Sequence, residues 1–465
     1  FFCDEEEHFI ADSKDHNAAF WVDLLKSLYE HGLYLESNLE FTRRSGNHLI
    51  SDAVGLFMLG VFFRQTEKGS EWVATAKEIL EHEIIRQTYP DGVDYEMSIA
   101  YHRMVTEMFL TTYILAEINR IGFSLRFRDR LLRMVEFILY YMRPNNQAPL
   151  IGDSDDGRLF WFNPDEDFND HTSVLSLAAA FFERRDFKRE GDRFSEQALW
   201  LVGTNGWEVF QRLRAKDEAI PSRLFRDSQF VIMRTPTMHC IVDCGELGKE
   251  GWGGHGHNDT LGFEFYANGV TFISDSGTIC YTANPSLRNE MRSTKAHNTV
   301  MVDGVELADF AGVFKVEADH THPKILQWDS SNVEDILVAE HYAYKTRLQQ
   351  PLTHNRMFVF EKKYQRLTVI DKLSGTGTHT AEIYFHLCPN AEVVKSSYNR
   401  IHVLAPQSSQ RMDVDYERTD EEMFISPGIL APRYGVGEQN KVLIFRKKFT
   451  DKMTFKTIFS IPPVA

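Results

Sequence analysis

Two histidines two positions apart, His255 and His257, are followed by a carboxylate, Asp275, 18 positions on, and by a third histidine, His297, 22 beyond that. Imidazole nitrogens with one carboxylate suit a borderline divalent ion such as zinc. The histidines belong to the run Gly253-Gly254-His255-Gly256-His257-Asn258-Asp259, and the flanks Leu261 to Tyr266 and Val270 to Ile273 read as strands. Asn268-Gly269 supplies the tight turn between those strands. Residues two apart on a strand share a face, so His255 and His257 are expected to point into one cavity. A pair of cross-strand histidines hydrogen-bonded within a sheet fits the same spacing.

Three further segments carry candidate chemistry. Arg43-Arg44-Ser45-Gly46-Asn47-His48 brings two guanidinium groups, an amide and an imidazole to the start of the most apolar helix. Asn47 also suits a helix cap. The stretch from Asp91 through Glu96 to Tyr101-His102 opens another helix, with Tyr101 and His102 one turn past its entry. Pro149 to Gly157 is a loop carrying Asp153, Asp155 and Asp156. Its spacing fails the calcium-loop pattern, because no closing Glu follows. Arg288, Arg292 and Lys295 suit sulfate or carboxylate groups, or else form a solvated face.

The elements that must position these groups fall into two kinds. Apolar residues recur at helical spacing in Phe20–Tyr29, His48–Phe63, Trp72–Gln87, Tyr95–Ile121, Phe127–Met142, Thr172–Arg184 and Ser195–Val202. Breakers such as Ser45-Gly46, Pro90-Asp91-Gly92 and Pro144-Asn145-Asn146 separate them. From Ser222 onward short runs alternate apolar and polar residues, as in Phe230–Met233, Ile336–Ala339, Arg356–Phe360 and Val442–Phe445. Asp303-Gly304 and Gly375-Thr376-Gly377 read as turns. The expected organisation is α+β and multidomain. Residues 1–204 are helical, 205–221 a linker, 222–385 a central antiparallel sheet domain and 386–465 a C-terminal sheet region.

Composition narrows the partners. A chain of 465 residues exceeds one ordinary core. Its formal net charge of −16 argues against general nucleic-acid binding, so a polyanionic substrate must be met by a local basic cleft. No stretch reads as a membrane span or a signal peptide. Cys240 and Cys244, on one strand, would be held roughly 13 Å apart, too far for a bridge. With Cys3, Cys280 and Cys388 they make no disulfide scaffold.

In their order along the chain, Gly46-Asn47-His48-Leu49, Tyr95-Glu96-Met97-Ser98 with Tyr101-His102, Gly152-Asp153-Ser154-Asp155-Asp156 and His255-Gly256-His257-Asn258-Asp259 resemble the heparinase II/III family of polysaccharide lyases. Ala431-Pro432-Arg433-Tyr434-Gly435 is similar to that family's C-terminal region. The resemblance implies an incomplete (α/α) toroid followed by antiparallel β-sheets in a β-sandwich, with the active site between them. It implies β-elimination at a uronic acid, with the protein periplasmic or secreted by a bacterium. Asn47 and His48 resemble the pair that neutralises the uronate carboxylate, Tyr101 the catalytic tyrosine and His255 its partner base. Arg43, Arg44, Glu96, His102, Arg288, Arg292 and Tyr434 are expected to bind substrate. Since an ordinary tyrosine is a poor base at neutral pH, Arg43, Arg44 and Arg103 are candidates to lower its pKa. His257, Asp275 and His297 are the metal ligands carried over, for a structural zinc, or else manganese or calcium.

The expected substrate is an acidic polysaccharide, a glycosaminoglycan such as heparan sulfate, hyaluronan or chondroitin sulfate. Alginate or its oligosaccharides are the alternative. Helical toroids also host glycoside hydrolases, which need two opposed carboxylates; Glu96 with Asp153 or Asp155 would be that pair. A carbohydrate-binding protein without activity is a third class. Oligomeric state leaves no mark in the sequence.

Overall fold

The structure, a computed structural model, describes residues 17–163, 165–189, 191–216, 218–406, 408–417 and 423–462; Cys3 lies outside them. Seven helices come first: α1 (Asn17–Ser37), α2 (Asn47–Phe62), α3 (Glu67–Arg86), α4 (Ile99–Ile118), α5 (Leu125–Tyr141), α6 (Thr172–Phe182) and α7 (Glu196–Arg212). Helix α5 shows why they form. Ser124 caps its start by accepting from the Phe127 amide at 3.1 Å. One stripe of Phe127, Leu131, Met134, Val135 and Ile138 is then buried. Helix α4 is buried nearly all round, because α2, α5, α6 and α7 all pack against it. The linker expected over 205–221 is helical as far as Arg212, with a break at Gly203.

Five strands follow: β1 (Arg223–Leu224), β2 (Phe230–Arg234), β3 (Met238–Asp243), β4 (Phe263–Ala267) and β5 (Val270–Ile273). They form one antiparallel sheet in chain order. Asn268 and Gly269, at φ of 48° and 95°, make the tight turn between β4 and β5. The sheet is buried on both faces. Ile232 and Ile241 pack into the helical core, while Val231, Met233, Cys240 and Val242 pack into the core of the sheets. Period-two alternation thus serves two cores, and this sheet is the layer between them.

After the short helix α8 (Pro285–Met291) comes a ten-stranded antiparallel sheet. Its strands are β6 (Val300–Val302), β7 (Lys324–Ser330), β8 (Glu334–His341), β9 (Leu352–Glu361), β10 (Arg366–His386), β11 (Glu392–Ser397), β12 (Arg400–Leu404), β13 (Arg411–Tyr416), β14 (Met423–Arg433) and β15 (Val436–Ser460). Gly375-Thr376-Gly377, expected as a turn, lies within β10, where the pairing with β15 shifts register between Ser374 and Thr378. That is a bulge, and glycine suits it. Asp303-Gly304 is a turn as expected. Cys240, Cys244 and Cys388 are buried free thiols.

Candidate functional site

Segment 151–153 ties the start of α4 to the loop between β3 and β4. Its backbone is gripped from both sides: the Ile99 amide donates to Ile151 O at 3.1 Å, and the Asp153 amide donates to His255 O at 2.9 Å. Ser98, which caps α4 by accepting from the Tyr101 amide at 3.3 Å, donates its hydroxyl to Asp153 O at 2.6 Å. Gly152 lies between, at φ +74°, where a Cβ would fall 2.8 Å from Ser98 Cα and 3.0 Å from His255 O. Only glycine admits that approach.

The start of α4 and the histidine loop therefore come together. The rings of Tyr101 and His255 stack with centroids 3.6 Å apart and planes 17° from parallel. Tyr101 Oη donates to Asp155 Oδ2 at 2.7 Å and lies 3.3 Å from Tyr281 Oη. Behind His255, Nδ1 meets Asp153 Oδ2 at 2.8 Å, and Nε2 lies 3.5 Å from Glu96 Oε2. Asn47 donates to Glu96 Oε1 from its backbone at 3.0 Å and from its side chain at 3.1 Å. Lys249 Nζ stands 3.4 Å from the other oxygen of Glu96.

Asp153 is the hub of the cluster. It is fully buried and accepts from His255, His257, Thr278 and Arg288 at 2.7–2.9 Å. Burial opposes its charge, but Arg288 and the two histidines outweigh that and hold it well below the usual carboxylate range. Glu96 is likewise lowered: burial raises it, while His255, Lys249 and Asn47 pull it down. Tyr101 goes the other way. Burial first, and then the Asp155 carboxylate, push its hydroxyl well above its ordinary value.

This overturns the expectation that cations lower Tyr101. Arg44 stacks on Trp252 at 4.8 Å and faces Glu250, while Arg103 is buried against Glu107 at 3.0 Å. Arg43 is exposed. Tyr101 is held as a proton donor, beside an imidazole held by a carboxylate.

His257, Asp275 and His297 form the second cluster. One donor atom from each lies within 4.8 Å of the others, and all three residues are buried. His257 Nε2 meets Asp153 at 2.8 Å, and His297 Nδ1 meets Asp275 Oδ2 at 2.8 Å. Those contacts leave His257 Nδ1 and His297 Nε2 buried without a hydrogen-bond partner. Two orphaned imidazole nitrogens beside a carboxylate fit a divalent cation, since an unmet buried polar atom otherwise costs about 1–3 kcal/mol.

Other expected residues are placed elsewhere. His255 and His257 lie on a loop, and strand β4 begins only at Phe263; they converge because Asp153 receives one of them at each oxygen. His48 is turned to solvent, with Nδ1 on Glu40 at 3.0 Å, so it is separated from Asn47's partners. The N-cap of α2 is Gly46, and no side chain caps it. His102 is a core residue: Nδ1 accepts from the Asp94 amide at 3.2 Å, and Nε2 meets Met134 O at 3.0 Å. Arg288 and Arg292 are fully buried. Arg288 binds Asp153, while Arg292 donates to Gly312 O and Lys315 O at 2.5 and 3.0 Å. Neither is open to solvent, and of the two only Arg288 touches the cluster, holding Asp153 and His257. Tyr434 does reach the site, accepting from the Tyr281 amide at 3.2 Å. Arg433 pairs with Asp156 at 3.2 Å.

Three residues here escaped sequence reasoning. Lys249 stands beside Glu96, and Tyr281, six positions after Asp275, lies against the Tyr101 hydroxyl. Glu264 accepts from the Leu150 amide at 3.1 Å and the Asp275 amide at 2.9 Å, and pairs with Arg143. Its signal was an acid within an otherwise apolar strand, Phe263-Glu264-Phe265.

The family profile described as Heparinase II/III N-terminus matches residues 5–167, and that described as Heparinase II/III-like, C-terminal matches 218–456. A heparin-sulfate lyase of Bacteroides stercoris is 23% identical over 388 residues, covering 81% of this chain and 50% of the relative. One from Bacteroides thetaiotaomicron is 26% identical over 384 residues, covering 77% and 49%. A crystal structure of heparinase III superposes with a TM-score of 0.76 at 20% identity, over 96% of this chain and 65% of that one. The Streptomyces coelicolor A3 chondroitin AC lyase gives 0.53 at 11% identity, over 90% and 61%. The chain spans about half the length of the curated relatives it matches.

Proposed function

The chain belongs to the heparinase II/III family, and from that premise we propose that it is a polysaccharide lyase cleaving a uronate-containing glycosaminoglycan by β-elimination. The observation that carries the reading is the stacked Tyr101–His255 pair, with Asp153 behind the imidazole and Asp155 on the phenol. The relatives named heparin-sulfate lyases make heparan sulfate the first substrate to try. In this reading the helical half is an incomplete (α/α) toroid, the sheets stack as a sandwich, and the protein works in the periplasm or outside the cell.

Elimination removes the C5 proton beside a carboxylate and expels the sugar at O4. Charge then builds on a group that is already anionic, so fixed donors that meet it matter most. Asn47 and Lys249, held together by Glu96 beside His255, are the donors for that charge. His255 takes the proton. Asp153 orients its ring and favours the imidazolium that forms. Tyr101, kept protonated, gives its proton to the leaving oxygen. His48 has no part at this centre.

His257, Asp275 and His297 would hold a divalent ion, zinc by its donor set. When bound, that ion supplies a fixed charge that pins the loop presenting His255. The hydrolase reading is weaker. It needs one carboxylic acid with a raised pKa opposite a second carboxylate, whereas cationic neighbours and hydrogen bonds hold both Glu96 and Asp153 low, and Asp155 accepts from the Tyr101 hydroxyl at 2.7 Å. Alginate remains the second substrate, since its elimination needs the same residue types.

The test is ultraviolet absorbance during incubation with heparan sulfate, hyaluronan, chondroitin sulfate and alginate. Unsaturated uronate ends give a rise with heparan sulfate first. A flat trace on all four contradicts the reading.

A further inference from the structure

Away from that site, a cavity of about 430 Å³ opens between the end of α5, the segments 186–189 and 216–223, and the end of β2. Five cations and three carboxylates line it, on a chain whose formal net charge is −16. The carboxylates are already taken. Glu136 meets Arg223 at 3.3 Å and Arg184 at 3.6 Å, Asp186 meets Arg184 at 2.6 Å, and Glu218 meets Lys216 at 2.7 Å.

Two of the cations have main-chain partners instead. Lys188 Nζ donates to Phe210 O at 2.7 Å and Leu213 O at 3.0 Å, at the end of α7. Arg234, 7% exposed, donates from Nη1 to Tyr140 O at 2.8 Å and Leu139 O at 3.4 Å, at the end of α5. Among the described residues no carboxylate pairs with Arg234, and its Nε and Nη2 make no hydrogen bond. A third cation, Arg189, donates from Nη2 to Asn146 Oδ1 at 2.6 Å and to Asp192 Oδ1 at 3.5 Å and from Nη1 to Arg143 O at 3.5 Å, and keeps Nε buried without a partner. Burial, and then the neighbouring Arg189, lower Arg234 to about 10.

Charge bookkeeping decides between a cap and a site. A helix end carries roughly half a negative charge, so two ends offset about one of the two cations they receive. About one positive charge is left beside a cavity, and a buried unpaired charge is strongly unfavourable. One bound monoanion would cancel it.

We propose that this cavity is an anion site, in which Arg234, Arg189 and Lys188 take one oxyanion, a carboxylate or a sulfate group. It shares no residue with the Tyr101–His255 cluster. The ligand is either a free inorganic anion or an acidic group on a saccharide.

The full chain is titrated at constant ionic strength against sodium chloride with three probes: inorganic sulfate, glucuronate and a sulfated heparan disaccharide. Binding is read by calorimetry and by thermal midpoint. A saturable response to at least one probe is expected, and Arg234→Met should weaken it about tenfold or more, the loss of one charge-assisted hydrogen bond. A response to sulfate alone identifies a free ion, and a stronger response to either saccharide identifies a glycan group. If Arg234→Met does not fold, Arg189→Gln carries the same expectation. No saturable response in the wild type, or equal responses in wild type and variants, overturns the proposal.

Discussion

Two buried clusters in this molecule are built from the same residue types and differ in what they leave unused. In the ten-stranded sheet, His341 Nε2 meets His354 Nδ1 at 3.0 Å, His354 Nε2 meets Asp371 at 2.7 Å, and Arg356 grips Asp371 at 2.7 and 3.1 Å. Arg356 then donates to Leu261 O at 2.9 Å and Asn298 O at 2.6 Å. Among the described residues, none of the four leaves a buried side-chain nitrogen or oxygen without a partner. Between the two halves, His255, His257, Asp153 and Arg288 repeat the composition. There, however, His257 Nδ1 and the neighbouring His297 Nε2 are orphaned, and His255 keeps a face against Tyr101. Burial and residue type are the same in the two clusters; the orphaned imidazole nitrogens set the second apart.

The contrast is broken most severely at Tyr101. Tyr101→Phe removes the hydroxyl and keeps the stack on His255, so turnover should fall about 10²–10⁴-fold with little change in thermal midpoint. Steady-state rates and a melting curve check both parts. The mirror experiment is Arg356→Met, which leaves Asp371 buried without its cation and should cost about 3–5 kcal/mol of stability. Denaturant unfolding measures that loss, and assays well below the melting transition should show kcat within a few-fold of wild type. A comparable fall in kcat would tie the sheet cluster to the chemistry and erase the distinction.

A gentler probe is His297→Ala. It removes one orphaned nitrogen, so bound divalent metal measured by elemental analysis should fall from about one per chain to near none. An unchanged metal content, or none in the wild type, would take the trio out of the account.

Acid acts on the buried histidines that have no free valence. Burial lowers His102 to about 4, and it holds His171 and His341 well below the ordinary value. Their folded pKa values lie below the unfolded value, so the unfolded chain binds more protons as pH falls through about 6.5. Their contribution is present in full above that pH and is lost below it. Each costs up to about 1.4 kcal/mol per pH unit until its folded pKa is reached. Unfolding midpoints taken from pH 7 down to 5 should fall steadily, and His102→Gln should flatten the slope.

Much of this was legible in the sequence, for reasons that show where legibility ends. The helices α2 to α6 and strands β2 to β5 follow from period and punctuation, which are local. The convergence of Tyr101 with His255, and of His257 with Asp275 and His297, was expected from motifs that resemble a known family in their order along the chain. His102 was misassigned because it follows Tyr101, yet neighbours on a helix point about 100° apart, and that turns it into the core. Arg288 and Arg292, one turn apart on α8 and just beyond it, resembled an exposed anion patch. Both turn inward, to partners 135 positions upstream and 20 to 23 positions downstream. Asp153 as a hub, and the ties of Glu264 to the helical half, are invisible locally, since those contacts are 102–135 and 114–121 positions away.

The most direct test of the central claim is the mass of the products from a size-defined heparan sulfate oligosaccharide. Elimination at the Tyr101–His255 pair leaves each new non-reducing end one water lighter than hydrolysis would. The account predicts the lighter product from the wild type and from Arg356→Met, with almost none from Tyr101→Phe. Products carrying the added water, or the lighter product in equal yield from Tyr101→Phe, would contradict it.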